Sequence, residues 1–356
     1  MFPDDEVVPF AAWHSGTAVR DTATRLGLPP IRRLALPRPA LYECWHRLGQ
    51  LPGPLSLGAP LGRALGRPDV IHAPSVAVPP KGRSALVVTV HDMASELFPD
   101  AYPPRGRRFH AAGVAAAAAR ADLVITVSES AAQEIAERTT IAAERVRVVP
   151  NGVTPVSVTP QARDAALARL DLSQRRYVLF VSSLEPRKGV GTLVAAFAAL
   201  RRRGGAVGVA LVLAGFPGWL SEGLIGDADR RALGADLRQL GSVSEADLWP
   251  LYAGAEVCAV PSTHEGFGLP VLEAMSQARP VLCSDLAVLR EVGGDAARYV
   301  PAGDVATWAG ALEELLGDPV AAGALGRAGL ARSAQFSWER SVRATHAIYA
   351  EALAAR

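Results

Sequence analysis

Residues 256–278 read EVCAVPSTHEGFGLPVLEAMSQA. The apolar run EVCAVPS predicts a strand that ends near Ser262. Pro270 suits the first turn of a helix, where its missing N–H would have no partner anyway. The helix continues through PVLEAMSQA. THEGFG is then the connection at the carboxyl end of a strand, which is where open α/β sheets bind ligands. Gly266 and Gly268 let the backbone approach a ligand closely, and the free N–H groups of the helix start favour an anion. Glu265 and Glu273 flank that anion site. A carboxylate repels phosphate, but it accepts two hydrogen bonds at once from a vicinal diol. Two of them around one phosphate site suggest a ligand with diols on both sides of its phosphates. Hexose, diphosphate and ribose, in that order, have this shape. Singly, Glu265 reads as a solvated loop acid and Glu273 as a first-turn acid favoured by the helix dipole. Together, around this glycine pattern, they read as a site.

The same strand-then-helix rhythm extends outward. Strands are predicted at 85–90, 122–127, 145–149, 177–181, 209–215, 256–262 and 280–284. Their near-continuous Val/Leu runs suggest burial on both faces, hence parallel sheets under helices, an α/β doubly wound fold. The chain has 356 residues, about twice the usual single-domain length, so two domains are expected. NGVTPVSVTPQARDAALARLDLSQRR (151–176) breaks the rhythm. It places a linker at 153–175 between a domain at 1–152 and one at 176–337, followed by an amphipathic helix at 338–356.

Composition narrows the class. Hydrophobic residues make up 49% and charged residues 20%, which argues against disorder. A formal net charge of +2 gives no basis for a nucleic-acid partner. Cys44, Cys258 and Cys283 are widely spaced and form no CxxC pair, so neither a disulfide framework nor a zinc site is expected. The acidic start MFPDDEVV is unlike a signal peptide, and the longest apolar stretch is interrupted by Arg120 and Asp122. The expectation is a soluble cytoplasmic protein.

A second segment, SLEPRKG (183–189), also follows a predicted strand. Arg187 and Lys188 there can place two positive charges on a diphosphate. Of 37 cationic residues only Lys81 and Lys188 are lysines, so a lysine at this point departs from the habit of the chain. His91 stands at the end of the predicted strand 85–90, and Asp92 suits a cap on the following turn. Ser128 and Glu129 suit a helix start. Asp227 and Asp229 form a DxD triplet, a pattern that can bind a metal, yet before RRALGADLRQL they read as the acids of a helix first turn. PPRGRRFHAAG (103–113) carries Arg105, Arg107, Arg108 and Phe109. It could make weak contact with anionic lipid or a phosphorylated acceptor, but a solvated loop entering an Ala-rich helix is the simpler reading.

With these segments in order, the sequence resembles the family 4 retaining glycosyltransferases, of GT-B fold. EGFGLPVLEAM looks like that family's E-x7-E signature. VTVHD (88–92), TVSES (126–130), VVPNGV (148–153), SLEPRKG, GSVSEADLWPLYAGAEV (241–257) and REVGGDAARYVPAGD (290–304) follow in the family's order. The resemblance is strong from roughly residue 70 onward. It implies two Rossmann-like domains facing a cleft. It implies transfer of a hexosyl group, with GDP-mannose favoured, from a nucleotide-diphosphate sugar to a glycan or lipid-linked acceptor. Configuration would be retained, with no metal and no cofactor beyond the donor. By resemblance Glu265 holds hexose hydroxyls, Glu273 holds ribose hydroxyls, Lys188 meets the diphosphate and His91 lies by the reacting carbon. Arg187 stands in for an arginine the family often has where this chain has Ser183. Gly266, Phe267, Gly268 and Leu269 complete the nucleotide-binding segment. A sugar-nucleotide epimerase would lack the EPRKG and E-x7-E combination. A non-catalytic sugar-nucleotide binder is the nearer rival, because the start FPDDEVVPFAAWHSG resembles the family's second strand. The expectation is that the first strand of the N-terminal domain, its glycine-rich loop and its helix are missing, and the order of a doubly wound sheet puts that strand mid-sheet.

Overall fold

Among the described residues every ladder pairs its strands in parallel. The computed structural model describes residues 2, 4–13, 16–48, 58–218 and 220–356. The first strands are β1 (Phe10–Trp13), β2 (Arg32–Pro37), β3 (Val70–Ala73), β4 (Ala85–Thr89), β5 (Leu123–Thr126) and β6 (Val146–Val148). The later strands are β7 (Arg176–Val181), β8 (Val209–Ala214), β9 (Leu237–Gly241), β10 (Val257–Val260), β11 (Val281–Ser284) and β12 (Arg298–Val300). β1 pairs with β2, β3 to β6 form a four-stranded sheet in chain order, and the third sheet runs β12-β11-β10-β7-β8-β9.

The six-stranded sheet has helices on both faces, as its strands require. Val178 and Phe180 of β7 pack with Phe197, Leu200, Trp308 and Leu312 on one side. Tyr177 and Leu179 pack with Leu251, Leu272 and Met275 on the other. Every second side chain therefore enters an apolar layer, and each fully buried Leu contributes about 1.5–3 kcal/mol. The order of this sheet also positions the site. From β7 the chain winds outward through β8 to β9, and from β10 it winds the opposite way through β11 to β12. β7 and β10 are neighbours, so the crevice at their carboxyl ends is a topological switch point.

The N-terminal half is the second Rossmann-like domain, and its sheet is divided. Among the described residues no ladder joins the β1–β2 pair to β3. Ala12 and Trp45 nevertheless share a core with Ile71, Val88 and Ala117. Arg120 fastens these layers. Its buried guanidinium donates to Trp45 O at 3.1 Å and Val78 O at 3.2 Å, and burial lowers its pKa to about 10. The helix Gly16–Arg25 after β1 buries no residue fully.

The chain passes between the domains beside Gly152, where Val153 N donates to Phe336 O at 3.1 Å. The final helix, Trp338–Ala354, buries Ile348 and Ala352 against Ala85, Val87, Leu123 and Ile125. Asp227 and Asp229 open the helix Asp227–Leu233, and Asp229 pairs with Arg202 at 3.1 Å. Arg105, Arg107 and Arg108 are exposed on the first turns of the helix Pro104–Arg120, while Phe109 packs inward against Tyr42. Among the described residues no helix is long and apolar enough to cross a membrane.

Candidate functional site

The two glycine-bearing loops meet at the switch point. β7 leads into the turn Pro186–Lys188, and β10 leads through residues 261–268 into the helix Leu269–Ser276. Lys188 Nζ lies 2.8 Å from both carboxylate oxygens of Glu265. Ser262 Oγ donates to Glu265 Oε1 at 2.7 Å. Arg187 donates to Glu185 at 2.9 Å and to the carbonyl of His264 at 3.0 Å, and it comes within 3.9 Å of Glu265. The side chains of Glu265, Lys188 and Arg187 are only 8%, 11% and 13% exposed. Two cations and two carboxylates thus form a nearly buried, charge-balanced cluster. Neither cation waits unpaired, so any incoming anion must compete with Glu185 and Glu265 for them. A partnerless buried charge would be far more expensive. Ser183, where the family often has arginine, donates to Glu185 at 3.1 Å. The other lysine, Lys81, pairs with Asp122, whose second oxygen accepts from Leu86 N at 2.8 Å.

Glu273 is set apart from this cluster. It lies in the second turn of Leu269–Ser276, beyond the reach of a first-turn dipole effect. Its Oε2 accepts from Tyr252 OH at 2.7 Å. Burial pushes the Glu273 carboxyl above the usual range, and the Tyr252 hydrogen bond pulls it partly back. Gly268 caps the helix at φ +105°, and a Cβ there would lie 2.6 Å from Leu289 Cδ2. Gly266 is needed for close approach. A Cβ on it would sit 2.8 Å from Asp92 Oδ2 and 3.1 Å from the His91 carbonyl. Phe267 turns its side chain into the core against Phe336, leaving its backbone to the loop, whereas Leu269 is part-exposed.

That contact brings the N-terminal domain to the site. His91 follows β4, is exposed, and places Nε2 3.1 Å from Pro74 O. Asp92 accepts from Ala94 N at 2.9 Å, as a turn cap does. Ser128 caps the helix Glu129–Arg138 by accepting from Ala131 N at 3.0 Å, and its hydroxyl also donates across the cleft to Gly266 O at 2.7 Å. Two further bridges join the domains. Glu291 of the helix Ala287–Gly293 accepts from Glu129 N and Ser130 N, both at 2.8 Å, and from the Ser130 hydroxyl. His264 Nε2 lies 2.7 Å from Glu134 Oε1.

Residues 10–156 match Glycosyltransferase Family 4, and residues 175–318 match Glycosyl transferases group 1. O-antigen chain mannosyltransferase B of Escherichia coli is 32% identical over 78% of this chain and 72% of its own length. The chain belongs to glycosyltransferase family 4. A D-inositol 3-phosphate glycosyltransferase of Salinispora arenicola is also 32% identical, over 86% of this chain and 75% of its own. Anabaena HepE in complex with UDP-glucose superposes with a TM-score of 0.71 at 20% identity, covering 98% of this chain and 92% of that one, which shows the shared GT-B fold.

In this family 4 glycosyltransferase the structure gathers Arg187, Lys188 and Glu265 into one cluster. It sets the His91 backbone against Gly266 and keeps Glu273 on a separate partner. Sequence reasoning missed the supporting residues Ser262, Tyr252, His264, Glu134 and Glu291. Ser262 and His264 flank the first glutamate, and Tyr252 and Glu291 lie within the family-like segments 241–257 and 290–304. Glu134 lies in an ordinary charged helix, and nothing in its spacing points to the cleft.

Proposed function

We propose that the chain is a retaining hexosyltransferase that uses a nucleotide-diphosphate sugar, GDP-mannose favoured, needs no metal ion, and acts on a glycan or lipid-linked acceptor. The observation that carries this reading is the Arg187–Lys188–Glu265 cluster at the switch-point crevice. When the bond between the anomeric carbon and the phosphate oxygen breaks, negative charge collects on the departing diphosphate. Two cations fixed beside it stabilise that charge as it develops. Glu265 orients hexose hydroxyls, Glu273 holds the ribose diol, and His91 stands by the reacting carbon from the other domain. The leaving phosphate takes the acceptor's proton on the same face of the sugar, so no separate base is required. The mannosyl preference is supported by the name of the Escherichia coli relative, while the HepE complex makes UDP-glucose the competing donor.

The test is to offer the purified chain GDP-mannose, UDP-glucose and UDP-N-acetylglucosamine in turn, with and without a chelator. Nucleoside diphosphate release and the anomeric configuration of the product are then followed. GDP-mannose should turn over fastest, with configuration kept and no effect of the chelator. Preference for a UDP sugar, an inverted product or chelator sensitivity would each overturn its part of the proposal. Binding without turnover of any donor would make the chain a non-catalytic binder.

A further inference from the structure

We infer that Glu134 is a positioning residue: it latches the two domains together through His264 and holds Glu265 and Lys188 in register with the turn that carries His91. Glu134 lies on the helix Glu129–Arg138 of the N-terminal domain. Its Oε1 is 2.7 Å from His264 Nε2, and its Oε2 accepts from Met93 N at 3.3 Å. One carboxylate therefore touches the residue just before Glu265 and the residue two after His91. Because a carboxylate only accepts, His264 Nε2 carries the proton in this contact.

His264 is built as a connector. Its ring is buried between Glu134 and Phe98, the latter at 5.4 Å between centroids, both from the N-terminal domain. Its carbonyl accepts from Arg187, and its neighbour Glu265 binds Lys188. Movement of the N-terminal domain is thus passed through one residue to both cations of the cluster. The helix that bears Glu134 is gripped at its other end too, by Glu291 on its first N–H groups and by Ser128 on Gly266 O. Closure rests on contacts within the protein, and His264–Glu134 involves the residue whose carbonyl accepts from Arg187.

The catalytic consequence depends on the transferase reading above; the latch itself does not. Glu134→Ala and Glu134→Gln separate the two. Glu134→Ala should lower kcat on the order of 10- to 100-fold, the effect of a misplacement of about 1 Å at a reacting centre. It should leave the affinity for bare nucleoside diphosphate within roughly twofold, because that ligand lies on the other domain. Glu134→Gln keeps an acceptor for His264 and should recover most of the loss. Hydrogen exchange gives a readout free of activity. The amides of Glu129 and Ser130, held across the cleft by Glu291, should exchange faster in Glu134→Ala than in the wild type or Glu134→Gln, with β7 and β8 unchanged. Unchanged Glu129 and Ser130 amides would overturn the latch. Faster amides with unaltered kcat, or equal losses in kcat and nucleotide affinity, would overturn the positioning role. If the wild type turns over no donor, the transferase reading fails, and the amide comparison still decides whether the latch exists.

Discussion

Glu265 and Glu273 stand at the two ends of one loop-and-helix segment, and their surroundings differ in kind. Glu265 is locked to Lys188 by both oxygens, with Arg187 close by. Glu273 has a neutral partner, Tyr252, and a carboxyl whose pKa is raised by burial. The first carboxylate lies against the cations that, on the proposed function, a diphosphate would share. The second carries its charge with one hydroxyl for help, so a ligand offering two more hydroxyls improves its position. The difference suits the proposed division of the ligand: Glu265, beside the cations that would meet the diphosphate, for the hexose, and Glu273 for the ribose diol.

The largest effect is expected at Lys188. Lys188→Ala leaves Glu265 nearly buried beside an arginine 3.9 Å away, and breaking such a pair costs about 3–5 kcal/mol. Nucleoside diphosphate affinity should fall as well, by roughly 1.5–3 kcal/mol for a lost charged hydrogen bond. Denaturant unfolding and calorimetry read the two losses separately. Unchanged diphosphate affinity would remove Lys188 from the phosphate end and collapse the distinction.

Glu273→Ala comes next. It should weaken the nucleotide by roughly 1.5–3 kcal/mol whether or not the sugar is attached. A loss confined to the intact sugar nucleotide would move Glu273 to the hexose.

The smallest effect sharpens the comparison through pH. If ribose hydroxyls bond the ionised form of Glu273, as proposed, affinity is full above its pKa and declines below it. Burial raises that pKa, hence the decline should begin at a higher pH than for an ordinary carboxylate. For folding without ligand the sign is reversed: a raised carboxyl contributes stability below its unfolded pKa that is lost as pH rises through the folded one. Tyr252→Phe removes the bond that lowers the Glu273 pKa. It should move the decline further up and weaken binding by about 0.5–1.5 kcal/mol. Titration calorimetry across mildly acidic pH shows this as a displaced curve, and coincident curves would mean Tyr252 does not tune Glu273.

The interior strands were legible because their apolar runs are dictated by burial on both faces. β7 was read at 177–181 and spans Arg176–Val181. The strands that escaped notice include β2 (RRLALP), β3 (VIHA), β9 (LRQLG) and β12 (RYV). β9 and β12 are the two edges of their sheet, where one side faces solvent and the apolar signal is lost. At the site, the residue types and spacing of EPRK and E-x7-E carried the reading. What they could not carry was pairing. Arg187 and Lys188 looked like free cations, and only the fold brings Glu265 across 77 positions to neutralise Lys188. Glu134 meets His264 across 130 positions, a contact no local pattern encodes.

The most direct measurement is calorimetry of two ligands, the bare nucleoside diphosphate and the intact sugar nucleotide, on the wild type, Glu265→Gln and Glu273→Gln. Glu265→Gln frees Lys188 from its carboxylate. It should therefore bind the bare diphosphate as tightly as the wild type or tighter, while losing the added affinity that the sugar provides. Glu273→Gln should bind both ligands more weakly by the same factor. If the two variants lose the bare diphosphate equally, the carboxylates do not divide the ligand between them, and the assignment of the two ends is wrong.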